Sequence, residues 1–130
     1  MFVFMTIYLF GNPILKQDSL PLKLLLKLKK RFPQIKFVVK DPTENWTENE
    51  KEIVIIDTVM GINKVTVFNS LLDLEKDNPR ISPHDYDVYL DLALLFKLKK
   101  IKSIKIIGIS PKETLTNTKL LFSTINSLLY

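Results

Sequence analysis

Three polar side chains are placed where chemistry could be done: Asp18, Asp57 and His84. Asp57 follows four apolar residues (IVII), so its carboxylate sits beside a core and is costly to desolvate unless something pairs with it. Loop amides are one such partner. Asp18 precedes a leucine-rich helical pattern, where an acid also serves as a cap. His84 stands in the first turn of a second helical pattern, a position that is usually plain surface. Two carboxylates and a neutral imidazole suit a divalent metal with open coordination positions. They equally suit metal-free acid/base work in which one carboxylate activates water.

The remaining composition narrows the choice. The 130 residues contain no cysteine, which removes disulfides, thiolate zinc sites, Fe–S clusters and cysteine nucleophiles. His84 is the only histidine, so a two-histidine metal site within one chain is impossible. No Gly-rich phosphate loop, GxSxG elbow or HExxH motif is present. The apolar fraction of 46% and charged fraction of 25% exclude a disordered or low-complexity segment. Nineteen Lys and Arg against 14 Asp and Glu leave a net charge of +5. The lysines gather in two runs, Lys23–Arg31 and Lys97–Lys105, interleaved with leucines at helical spacing. They read as the wet faces of amphipathic helices. The aromatics belong to strands and cores and do not interleave with the lysines, so no nucleic-acid partner is expected.

The elements that must position the three residues follow from periodicity. Met1–Phe10 is apolar on both sides, the mark of a strand in the middle of a covered sheet. It has no basic n-region or cleavage site and is too short to span a bilayer, so a cytoplasmic protein without membrane insertion is expected. Ser19 to Phe32 is a helix with Leu22, Leu25, Leu26 and Leu28 as its apolar stripe. Ile35–Lys40 and Ile53–Asp57 are strands, and Lys64–Phe68 is a shorter one nearer an edge. Asp41–Glu52 is a polar loop holding Trp46, either a partner contact or a lid on the core. Leu71–Pro79 is loop or a short turn of helix. Ser82 caps a helix that runs to about Lys100 and buries Val88, Tyr89, Leu92, Ala93, Leu95 and Phe96. Ser103–Ser110 is the last strand, and Thr116–Tyr130 a final helix with Leu121, Ile125, Leu128 and Leu129 inward.

Apolar strands alternating with amphipathic helices imply a single α/β domain over residues 1–130. Its sheet is mostly parallel, with helices on both faces. In such sheets ligands bind at the carboxyl ends of the strands, near helix N-termini. Asp18, Asp57 and His84 all fall at that edge.

Four short motifs carry a resemblance that runs over nearly the whole chain. They are Gly11-Asn12-Pro13-Ile14-Leu15 leading to Asp18, Ile55-Ile56-Asp57, Ser82-Pro83-His84-Asp85, and Ile106-Ile107-Gly108-Ile109-Ser110-Pro111. In these the chain resembles the hydrogenase maturation proteases, endopeptidases that trim the large subunit of [NiFe] hydrogenases. The resemblance implies a three-layer domain with a twisted five-stranded sheet, and it makes Asp18, Asp57 and His84 both metal ligands and catalytic residues. It implies a large-subunit precursor as partner, with nickel carried by that substrate as the recognition signal. Another divalent metal in the free protein is compatible with the same three residues, and a monomer is expected. Because ligation needs a neutral imidazole, activity is expected to fall as pH drops through about 6.5. Gln17 stands where the family usually has the first of two paired acids, and Pro21 where a glycine is common. The polar loop Asp41–Glu52 replaces a Gly-rich segment. A non-cleaving docking module of the same fold is the alternative these departures allow.

Overall fold

The computed structural model describes residues 5–10, 20–40, 52–69, 83–112 and 114–129, without the side chains of residues 20–23 and 83–88. Its elements are β1 (Met5–Leu9), α1 (Leu20–Arg31), β2 (Ile35–Val39), β3 (Glu52–Thr58), β4 (Thr66–Phe68), α2 (Pro83–Lys97), β5 (Ser103–Ile109) and α3 (Leu115–Leu129). The strands form one five-stranded sheet in the order β2-β1-β3-β5-β4. β1, β2, β3 and β5 are parallel, and β4 pairs antiparallel with β5 at one edge.

Strand alternation sorts the core into two layers. Ile7, Leu9, Val54, Ile56, Ile107 and Ile109 pack on one face with Leu24 and Leu28 of α1 and Leu121 and Ile125 of α3. Tyr8, Phe10, Ile53, Ile55, Ile104 and Ile106 pack on the other face with Tyr89 and Leu92 of α2. A parallel sheet buried on both faces needs strands apolar on both sides, which β1 and β3 supply, as does β5 beyond Lys105. The architecture is therefore the expected mostly parallel α/β sandwich in three layers. Among the described residues no helix is long and apolar enough to cross a membrane.

Two buried stripes differ from expectation. On α1 Leu28 is buried and Leu25 packs half-buried on the core as expected, but Leu24 and Phe32 complete the inward stripe and Leu26 is 78% exposed. Residues four apart stay on one face of a helix, and Leu26 is turned about 200° from Leu24. Phe32 decides between the leucine stripes by stacking edge-on against Phe122 of α3, ring centroids 6.0 Å apart. The lysines at 27, 29 and 30 are exposed, as a wet face requires. On α2, Tyr89 and Leu92 are buried but Phe96 is 50% exposed. There the chain reverses at Lys99, which adopts a left-handed φ of 61°. Lys99 N–H donates to Phe96 O, and Lys100 N–H donates to Leu95 O. That reversal carries Ile101, rather than Phe96, into the core.

Candidate functional site

The sheet order creates a switch point. From β1 the chain crosses through α1 to β2 on one side, whereas β3 lies on the other side of β1. The crossover helices α1 and α2 consequently cover opposite faces. In open α/β sheets the crevice at the carboxyl ends of two such strands is where ligands bind. Here those strands are β1 and β3, and Asp57 is the next-to-last residue of β3.

Asp57 is fully buried, at 0% exposure. It shares the α2 face with Ile53 and Ile55, as the two-residue period of a strand dictates. On one side lies Phe10, whose N–H donates to Ile56 O and closes the last β1–β3 pair, Leu9 with Ile56. On the other side Asp57 pairs in register with Gly108 of β5. From α2 the Tyr89 hydroxyl donates to Asp57 Oδ2 at 2.9 Å. The Tyr89 ring in turn packs on Phe10, with centroids 5.7 Å apart. Asp57 thus accepts a hydrogen bond from a phenol of the helix layer that covers its own face.

Gly108 shapes the same wall. A Cβ there would lie 2.9 Å from Val59 Cγ2 and 3.0 Å from Phe68 Cε2. The glycine lets the β3–β4 connection close over the sheet beside the carboxylate. Thr58, next along β3, belongs to the other face by alternation. Its Oγ1 is buried with no hydrogen-bond partner.

Of the three residues expected at this edge, the structure describes one completely. Asp57 is at the predicted place. For His84 the described part is its backbone, at the second position of α2. Since α2 returns the chain to a strand parallel to β3, its N-terminus lies toward the carboxyl edge. The rise of a helix puts His84 about 7.5 Å further toward that edge than Tyr89, measured along the axis. Asp18, with Gly11-Asn12-Pro13, Ser82, Trp46 and the segment 71–79, lies outside the described residues. Among the described residues no three acidic or histidine side chains converge on a metal position. A small cavity of about 10 Å³ opens on the opposite face, lined by Leu24, Ile109, Ser110, Lys112, Asn117 and Leu121. It has room for at most one water and is not part of the Asp57 wall.

Tyr89 is the functional candidate that the sequence reading assigned to the core alone. The available signal was Asp57 itself: a buried carboxylate demands a donor, and Tyr89 is the hydroxyl-bearing member of the α2 apolar stripe.

The fold is shared with a solved structure, the [NiFe] hydrogenase maturation protease HybD from Thermococcus kodakarensis. The two chains align with a TM-score of 0.68 at 21% sequence identity, over 97% of this chain and 99% of that one. No protein-family model and no curated protein sequence matches this chain. At that identity the likeness establishes the architecture, including its five strands and layered helices.

Proposed function

We propose that this chain is an endopeptidase that removes the C-terminal extension of a nickel-loaded [NiFe] hydrogenase large-subunit precursor. One observation carries the reading: a wholly buried carboxylate, Asp57, stands at the switch point of a fold shared with a hydrogenase maturation protease. The family motifs around Asp18, Asp57 and His84 support it independently of the fold.

In this reading the metal arrives with the substrate. The precursor's nickel is recognised by Asp18, Asp57 and His84, and that contact sets the scissile amide against the carboxyl edge of the sheet. The chain's own contribution is orientation. Tyr89 donates to Asp57 Oδ2 and so offsets part of the cost of burying that carboxylate in an apolar wall. Fixing the reacting groups in one geometry is the main source of rate such a site can supply. Water adds across the amide, leaving a new carboxylate on the large subunit and a free amine on the released peptide.

The test is His84→Ala, incubated with nickel-loaded precursor and followed by the mass of the large subunit. Loss of processing is the expected result. Processing at an unchanged rate removes His84 and the proposed trio from the active site. Binding of the precursor by the unsubstituted chain without a shortened product favours the docking module instead.

A further inference from the structure

We infer that Tyr89 is a positioning residue for the Asp57 site, setting the carboxylate's orientation and the height of α2 above β3. The kinetic part of this inference rests on the peptidase reading; the structural part does not.

The Tyr89 hydroxyl is not needed to fill the core. Tyr89 is 2% exposed and its ring packs on Phe10. A phenylalanine would fill the same volume and keep that contact. Burying a phenol in an apolar layer is unfavourable unless its O–H finds an acceptor. The acceptor is Asp57 Oδ2, at 2.9 Å and 32 residues away in sequence. The bond therefore ties the layer of α2 to the central strand, across a core that is otherwise apolar at this level.

Two geometric consequences follow. The bond fixes the carboxylate plane, so any group that Asp57 meets at the sheet edge is met in an orientation set by α2. Tyr89 and His84 also lie on one rigid helix, five residues apart. Anchoring the phenol to Asp57 therefore fixes how far the His84 backbone stands from the carboxylate. A helix free to slide by a fraction of its pitch would change that separation without unfolding anything. Partners that orient ligating groups in this way are typically worth 10–100-fold in affinity or rate.

The experiment is Tyr89→Phe in the full chain, with Asp57→Asn used to assign the Asp57 carboxylate ¹³C resonance. The inference expects that resonance to move in Tyr89→Phe at constant pH while far-UV circular dichroism is unchanged. An unmoved resonance overturns it. Should Tyr89→Phe fail to fold, the unsubstituted chain still decides. A hydrogen bond from the phenol gives an H/D isotope shift on the Asp57 carboxylate carbon, and its absence overturns the inference. With nickel-loaded precursor, Tyr89→Phe is expected to lower kcat about tenfold with KM within about twofold. Wild-type kcat in the variant overturns the positioning role. An unsubstituted chain that trims nothing counts against the peptidase reading, and the carboxylate resonance then judges Tyr89 by itself.

Discussion

Gly108→Ala puts the packing beside Asp57 to a quantitative test. Gly108 does not have a positive φ, so the glycine is required for space and not for backbone freedom. The added methyl carbon would stand 2.9 Å from Val59 Cγ2, 3.0 Å from Phe68 Cε2 and 3.3 Å from Ile62 Cδ1. Ordinary contact between such carbons begins near 3.5 Å, so the neighbours must yield by roughly half an ångström. Val59 is wholly buried and Phe68 nearly so, which leaves little room to retreat. Overpacking of this kind costs about 1–3 kcal/mol. Replacing glycine by alanine returns about 0.4–1 kcal/mol through the unfolded chain. The middle of those ranges is a net destabilisation of about 1.3 kcal/mol, which for a chain of 130 residues lowers Tm by about 5 °C. Thermal and urea denaturation followed by circular dichroism measure it. An alanine variant as stable as the parent, with an unchanged urea midpoint, would refute the close packing of the β3–β4 connection on β5.

Other substitutions follow from the same structure. Lys99→Gly removes a non-glycine residue from a left-handed position and is expected to stabilise the chain by about 0.5–1 kcal/mol, read as a higher urea midpoint. Thr58→Val deletes a buried hydroxyl that has no partner. It should raise stability by about 1 kcal/mol, and a loss of that size would mean the hydroxyl is bonded in solution. Leu28→Ala should cost about 2–5 kcal/mol, whereas Leu26→Ala should stay within about 0.5 kcal/mol of the parent. Equal effects at the two leucines would mean that α1 is rotated from the orientation described.

Much of the architecture was legible because the signals were local. The runs at 5–9 and 53–56 are almost wholly apolar on both faces, which only a central strand tolerates, and each is one. The segment ending at Phe68 is short and alternating, and it forms the edge strand. Rotation about the helix axes was less legible. Residues 20–28 of α1 hold leucines on every side, so the period admits several stripes, and contact between Phe32 and Phe122 selects one. Phe96 lies at the correct angle for burial, but the reversal at Lys99 brings Ile101 into the core instead. At the candidate site, Asp57 announced itself as a charge at the end of an apolar strand. Its partner did not, because a tyrosine that donates a hydrogen bond and one that merely fills space have the same letter and the same helical phase. Only the register of α2 over β3 distinguishes them.

The most direct measurement of the central claim is the intact mass of a nickel-loaded hydrogenase large-subunit precursor after incubation with this chain or with Asp57→Asn. The account predicts that the unsubstituted chain shortens the precursor at its C-terminus in a single cut and that Asp57→Asn, though folded, leaves it at full length. Full-length precursor in both incubations, or equal shortening in both, would contradict it.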